Sequence, residues 1–141
     1  MRIKIKIKTP VVYTTIIKVR ISDINYGGHV GNDSILSIIH EARLAFLKQW
    51  GFTEMDAGGC GLIMADSAIQ YKAESFYGDE IEVSISIDDI TTVSFDMYYQ
   101  LQTKREKESI MIAYAKTGMI TFDYNTRSIV SIPDMLKDKL I

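Results

Sequence analysis

The residues best suited to chemistry in this sequence lie together between Asp23 and Asn32. The segment reads Asp23-Ile24-Asn25-Tyr26-Gly27-Gly28-His29-Val30-Gly31-Asn32. A carboxylate or an imidazole can take a proton from water, and an amide can hold that water or a carbonyl group by hydrogen bonding. We therefore take this segment as the candidate catalytic site, with Asp23, Asn25 and His29 as its reactive groups.

The residues that follow the segment predict that it ends at the start of a helix. Asp33 to Trp50 carries apolar residues around most of a helix circumference, and we expect Asn32 or Asp33 to cap it. The first N–H groups of a helix have no partner within the helix and carry partial positive charge. A carbonyl that gains negative charge would be stabilised by such amides near Gly31, Asn32 and Asp33.

Several neighbouring residues are candidates for contact with a substrate. Glycine lets a ligand approach the backbone closely, so we expect the residues around the glycines of this segment to bind the substrate: Gly28, Val30, Gly31 and Asn32. Asp66 is a further candidate, because it interrupts an otherwise apolar strand pattern from Leu62 to Ile69.

Most of the remaining chain alternates between apolar and polar residues, which predicts strands. The alternating stretches are 2–8, 13–21, 62–71, 81–87, 93–101 and 110–122. Short connections between the later strands predict an antiparallel meander. One long apolar helix with about five or six strands favours an α+β fold, a sheet curled around the helix, in a single domain of residues 1–141. Uncovered strand edges predict pairing with a second copy.

Composition excludes several function classes. The chain is 47% hydrophobic and 24% charged with a net charge of −2, which is ordinary for a globular domain and argues against a nucleic-acid partner. The single cysteine, Cys60, cannot form an internal disulfide and fits a reducing, cytoplasmic compartment. No apolar run is long enough for a membrane span. His29 and His40 lack the neighbouring ligands of a zinc site, so we expect no metal and no cofactor.

Six short motifs, taken in order, resemble the hotdog-fold acyl-CoA thioesterases, in the branch that contains 4-hydroxybenzoyl-CoA and long-chain acyl-CoA thioesterases. They are Lys18-Val19-Arg20, Asp23-x-Asn25, Gly28-His29-Val30-x-Asn32, His40-Glu41-Ala42-Arg43, Tyr71-Lys72-Ala73-Glu74 and Tyr77-Gly78-Asp79-Glu80-Ile81. The resemblance implies a hotdog fold and hydrolysis of an acyl-CoA or acyl-carrier thioester. It also implies a homodimer or homotetramer with its sites at the subunit interface.

The sequence departs from this family at one position that matters for the chemistry. Many members have Asp-x-Asp before the Gly-His-Val motif, and the second acid is their catalytic carboxylate; here that position is Asn25. Three alternatives follow. Asp23 with His29 acts as the base and Asn25 orients the substrate, or the protein binds acyl thioesters with little hydrolysis. In the third, a carboxylate from elsewhere or from a partner subunit does the work, with the candidates Glu41, Asp66 and Glu74.

A second enzyme class has a related motif. Hotdog enoyl-CoA hydratases carry Asp-x-Asn-Pro-x-His, in which the acid and the histidine act together on water. Asp23-x-Asn25 followed by His29 looks similar, but the spacing is one residue longer and Tyr26 replaces the proline. Thioester hydrolysis is therefore the leading hypothesis, and hydration is the alternative.

Overall fold

An antiparallel sheet of six strands and one long helix make up the body of the molecule. The computed structural model describes all residues from 1 to 141. Its elements are β1 Val11–Lys18, α1 Asn32–Lys48, β2 Gly61–Tyr71, β3 Glu80–Asp88, β4 Ser94–Arg105, β5 Glu108–Asp123, β6 Ser128–Ile129 and α2 Asp134–Leu140. The strand order is β1-β3-β4-β5-β2, and β6 pairs with β5. The predicted α+β architecture is confirmed.

The core lies between α1 and the concave face of the sheet. α1 buries apolar side chains at helical spacing, namely Ile35, Ile38, Ile39, Ala42, Phe46 and Leu47. Phe46 packs edge-on against Tyr13 of β1 and against Trp50, with ring centroids 5.9 and 5.0 Å apart. Each such buried side chain stabilises the fold by about 1.5–3 kcal/mol, so this packing holds α1 against the sheet.

Two local predictions are wrong. Residues 2–8 alternate like a strand but form none, because no neighbouring backbone pairs with them; β1 begins only at Val11. The helix is capped neither by Asn32 nor by Asp33. Both lie inside the first turn, and Gly31 is the N-cap, in an extended conformation and without a side-chain hydrogen bond.

One side of α1 and one edge of the sheet remain uncovered. Ser37, His40, Glu41 and Leu44 are exposed on the helix. Glu41 is exposed and makes no ion pair. β2 pairs only with β5, so its other edge is bare, and its central residues 64–67 are exposed. Neither α1 nor α2 is long and apolar enough to cross a membrane.

Candidate active site

Hydrogen bonds close residues 25–29 into a tight loop ahead of α1. The Asn25 N–H donates to the His29 carbonyl at 2.9 Å, and the Gly28 N–H donates to the Asn25 carbonyl at 3.1 Å. Gly28 has a φ of 85°, a left-handed conformation that glycine adopts without strain. The loop therefore has a defined shape, and Gly28 provides its turn.

The loop brings the side chains of Asn25 and His29 together. Asn25 Oδ1 accepts the Gly27 N–H at 2.9 Å. A Cβ atom at Gly27 would lie 3.1 Å from Asn25 Oδ1 and 3.4 Å from His29 Nε2. The amide and the imidazole thus flank the same glycine, and two of the three predicted catalytic side chains are neighbours.

The contacts of His29 favour one tautomer of its ring. Its Nδ1 lies 3.2 Å from the Val30 carbonyl oxygen. A carbonyl only accepts hydrogen bonds, so this contact fits the tautomer with its hydrogen on Nδ1, in which Nε2 has a free lone pair. The Nε2 atom lies 3.9 Å from Oε1 of Glu74, and the side chain is about one third exposed. His29 is therefore built as a proton acceptor with a carboxylate nearby.

The start of α1 presents two free backbone amides. The Gly31 N–H donates to the Asp23 carbonyl at 3.0 Å, so this amide is occupied, although the sequence predicted it to be free. The Ser34 N–H donates to the Gly31 carbonyl. The N–H groups of Asn32 and Asp33 donate no hydrogen bond within the protein. These two amides lie at the positive end of the helix dipole, where an oxyanion is stabilised.

The carboxylate of Asp23 is buried and hydrogen-bonded to Arg20. Its side chain is only 4% exposed. Its Oδ2 accepts the Arg20 N–H at 2.8 Å, and Arg20 Nη2 lies 3.4 Å from its Oδ1. The carboxylate thereby caps the short 3-10 turn Ile21–Asp23. This carboxylate makes no hydrogen bond to Asn25 or His29, and it does not line the cleft described next.

A cleft of about 250 Å³ opens beside the start of α1, and we call it the helix-start cleft. Its lining residues are His29, Val30, Asn32, Ile35, Tyr71, Lys72, Ala73, Glu74, Ser75 and Ile112. The Tyr71 hydroxyl donates to the Asn32 carbonyl at 3.3 Å. The cleft joins the predicted His29, Val30 and Asn32 to Glu74, one of the alternative carboxylates. In the sequence, Tyr71 and Lys72 stand out only as parts of a motif.

Asp66 lies outside this cleft, in the exposed middle of the edge strand β2. Its Oδ1 accepts from Lys116 Nζ at 2.8 Å and from the Gly118 N–H at 3.0 Å. The hydrogen bond from Lys116 holds the pKa of Asp66 below its usual value. The carboxylate is exposed and lines neither this cleft nor the next one, so its predicted substrate contact stays a prediction.

A larger cleft of about 610 Å³ runs between α1 and the first residues of β2, and we call it the α1–β2 cleft. It is lined by Asp33, Leu36, Ser37, His40, Arg43, Glu54, Met55, Leu62, Ile63, Met64 and Tyr124. More than half of this lining is apolar. Asp33 brings one end of the cleft next to the free amides at the helix start.

The far end of this cleft holds a charged cluster that sequence reasoning missed. Arg43 is buried, and its Nε donates to Glu54 Oε2 at 2.9 Å while its Nη1 donates to the Tyr99 hydroxyl at 3.3 Å. His40 Nε2 lies 2.5 Å from the other oxygen, Oε1 of Glu54. Arg43 was visible in a motif, but Glu54 comes from an irregular segment with no pattern of its own.

The charge of Glu54 is expected to make stability depend on pH. Burial favours its protonated form, but the hydrogen bond and charge of Arg43 outweigh burial and hold the pKa below its usual 4.5. A lowered pKa stabilises the fold above the unfolded-state value, and this contribution is lost as pH falls through the folded-state value. We expect Glu54→Gln to cost about 1–2 kcal/mol at pH 6.

That cost should shrink toward zero at pH 3, as urea unfolding at the two pH values will measure. Glu41→Gln is the matched control, because Glu41 is an exposed carboxylate of α1 without an ion pair. Its effect should be small and the same at both pH values. A loss for Glu54→Gln that stays constant down to pH 3 would contradict the electrostatic explanation.

The structure argues against a cysteine nucleophile. Cys60 is buried, and its burial raises the pKa of the thiol to about 11. The thiol is therefore protonated at neutral pH, whereas nucleophilic cysteines work as thiolates. Nor do three or more His, Cys, Asp or Glu side chains gather where a metal ion could bind.

Comparison with known proteins identifies the family. The model of the thioesterase-like superfamily matches residues 19–140. The chain belongs to the thioesterase-like superfamily. A relative from Microcystis aeruginosa, a 1,4-dihydroxy-2-naphthoyl-CoA hydrolase, is 29% identical over 120 residues, which cover 83% of this chain and 84% of the relative. The predicted family and the predicted class of thioester hydrolases are confirmed.

Solved structures of other thioesterases share the fold of this superfamily member. The 1,4-dihydroxy-2-naphthoyl-CoA thioesterase from Synechocystis superposes with a TM-score of 0.80 at 19% identity, over 91% of this chain and 94% of that one. A gentisyl-coenzyme A thioesterase gives a TM-score of 0.77 at 18% identity, over 92% of this chain and 100% of that one. The hotdog architecture predicted from the motifs is thus confirmed.

Proposed function

We propose that the protein hydrolyses acyl-CoA thioesters at the helix-start cleft. The observation that carries the proposal is that one end of α1 offers two free amides, those of Asn32 and Asp33, beside a histidine nitrogen with a free lone pair. Thioester hydrolysis needs both elements, donors for the oxyanion and an acceptor for a proton of water.

The reaction would begin with the thioester carbonyl oxygen at the Asn32 and Asp33 N–H groups. His29 Nε2 takes a proton from water, and the resulting hydroxide attacks the carbonyl carbon. The carbon–sulfur bond then breaks, the proton on Nε2 passes to the leaving sulfur, and the thiol and the free acid result. The Glu74 carboxylate, 3.9 Å from Nε2, stabilises the imidazolium that forms. Asn25 orients the water by hydrogen bonding, since its amide cannot act as a base.

In this proposal Gly28, Val30 and Gly31 shape the loop against which the substrate lies, and Asp23 holds that loop through its turn. This modifies the expectation for Asp23, because its carboxylate is buried and already accepts hydrogen bonds from Arg20. Of the alternative carboxylates, Glu74 is favoured, since it lines the same cleft as His29. Glu41 lies on the other side of α1, near β1.

We propose an aromatic acyl group as the substrate. The relatives named above act on dihydroxynaphthoyl and gentisyl thioesters. The α1–β2 cleft begins at Asp33, next to the free amides, and its walls are mostly apolar. A flat apolar acyl group would lie there with its carbonyl at the helix start.

We further propose that two copies pair through β2. This edge strand is 11 residues long and no second strand pairs with its outer edge, and such an edge is a ready surface for pairing. A second copy on this edge would bring both clefts to the subunit interface. A homodimer or homotetramer by analytical ultracentrifugation would support this arrangement.

The activity is tested by thiol release from a panel of acyl-CoA thioesters. The panel holds benzoyl, hydroxybenzoyl, hydroxynaphthoyl, butyryl and palmitoyl thioesters, and we expect the fastest release from the aromatic ones. Loss of the enoyl-CoA absorbance without thiol release would instead favour the hydratase alternative. Tight acyl-CoA binding without turnover at any pH would favour the non-catalytic binding module.

A further inference from the structure

Three basic side chains converge on a cleft at the end of β2. The cleft measures about 550 Å³ and lies between β2 and residues 1–8, which we call the N-terminal arm. Its lining residues are Met1, Arg2, Ile3, Lys4, Ile69, Gln70, Tyr71 and Lys72. Three of these are cations and none is an acid. We call it the cationic cleft.

The cations of this cleft have no partners in the protein. Arg2, Lys4 and Lys72 lie in no ion pair, and Lys72 only faces the Tyr114 ring, 5.8 Å from its centroid. Basic residues elsewhere, such as Lys18, Lys107 and Lys137, are also exposed without an ion pair, but none of them lines this cleft. Some of the others are neutralised by acids. Examples are Lys8 with Asp88, Arg20 with Asp23, Arg43 with Glu54, Arg105 with Asp79 and Lys116 with Asp66. In a chain of net charge −2, three unpaired cations around one cleft favour an anionic ligand.

The cationic cleft continues into the helix-start cleft. Tyr71 and Lys72 line both of them, and the Tyr71 hydroxyl reaches the Asn32 carbonyl at the helix start. Glu74 is the only acid that lines either cleft, and it lies at the His29 end. A ligand that spans both clefts would thus meet positive charge at one end and the reactive groups at the other.

A hydrogen bond attaches the N-terminal arm to β2 beside the cationic cleft. The Ile5 N–H donates to Gln70 Oε1 at 2.9 Å, which attaches the arm to β2. Successive side chains of an extended segment point to opposite sides, so Arg2 and Lys4 share one side of the arm. The alternating pattern that predicted a strand at 2–8 therefore has another use, since it presents two cations to the same cleft.

We propose that Arg2, Lys4 and Lys72 bind the phosphate groups of the coenzyme A portion of the substrate. Coenzyme A carries its phosphates at the end of a long, flexible, uncharged chain that leads to the thioester. The substrate extends from the cationic cleft, past Tyr71, to the amides of Asn32 and Asp33. This assignment rests on the proposed hydrolysis, and it adds recognition of the phosphates to the proposed recognition of the acyl group.

The test compares two thioesters of the same acyl group, benzoyl-CoA and benzoyl-N-acetylcysteamine, which lacks all phosphates. The variant replaces Arg2, Lys4 and Lys72 by alanine. We expect its KM for benzoyl-CoA to rise about five- to tenfold, because exposed ion pairs each contribute up to about 1 kcal/mol. Its kcat and its kinetics with the short thioester should not change. Added salt should raise the wild-type KM for benzoyl-CoA alone.

A control variant carries the same charge change at three distant exposed lysines, Lys18, Lys107 and Lys137, and its KM should stay within twofold of wild type. An equal rise of KM for both thioesters, or the same rise in the control variant, would overturn the assignment. Calorimetric binding of coenzyme A itself reads the phosphate site without turnover. Wild-type protein that binds coenzyme A through these cations but releases no thiol would refute the hydrolysis alone. Binding that the triple variant leaves unchanged would refute the phosphate site.

Discussion

Replacement of His29 by alanine is expected to lower kcat for thioester hydrolysis by about 10²–10⁴-fold, the usual contribution of a general base. Its Nδ1 donates to the Val30 carbonyl, so Nε2 is the nitrogen that accepts a proton. The stability of the fold should change little, because the ring is part-exposed and makes one hydrogen bond to the protein. Thiol release under saturating substrate measures the loss, and urea unfolding measures stability.

Tyr26→Ala is the matched control for this variant. Tyr26 lies in the same loop but is fully exposed, so its removal should leave kcat within twofold of wild type. A His29→Ala protein that keeps the wild-type rate would show that another group activates the water. An equal loss in both variants would point to a general disturbance of the loop.

Replacement of Asn32 by proline is expected to lower kcat by about 10²–10³-fold, the typical cost of removing one oxyanion donor. Asn32 is the first residue of α1, and proline is well tolerated at this position because its missing N–H would have no helical partner. Gly31 before it is extended, with φ −68° and ψ 150°, the conformation that a residue preceding proline prefers. The variant thus removes one hydrogen-bond donor while keeping the helix.

Asn32→Ala separates the backbone from the side chain, because alanine keeps the N–H and loses only the amide group. Its kcat should stay close to wild type, and circular dichroism should show both variants with the wild-type helix content. If alanine and proline lower kcat equally, the side chain of Asn32 and not its amide takes part. If proline has no effect, the oxyanion is stabilised elsewhere.

The loop and the helix start were predictable from sequence because their signals are local. A cluster of glycines and polar residues before a long stretch of apolar residues at helical spacing predicts a turn that leads into a helix. The same holds for β3 and β4, whose alternation reflects one buried and one less buried face. In β3, buried Ile81, Val83 and Ile85 alternate with less buried Glu82 and Ser84.

The errors have a different origin, since they concern contacts between distant parts of the chain. The N-terminal arm has the alternation of a strand, but a strand also needs a neighbouring backbone, which the sequence cannot display. Glu54 meets Arg43 only because the segment after α1 folds back along the helix. The catalytic role of Asp23 stays a prediction, and only the structure reveals that its carboxylate is buried against the Arg20 backbone. The helix-start cleft and the α1–β2 cleft likewise join residues that are far apart in the chain.

The burial of Cys60 has a practical consequence for the enzymology. The thiol is the only one in the chain and lies in the core with its pKa raised to about 11. Disulfide reagents that report free thiol react with exposed thiolates, so folded protein would contribute almost no colour of its own. Each thiol counted would then be released coenzyme, and colour arising from Cys60 would signal unfolding during the measurement.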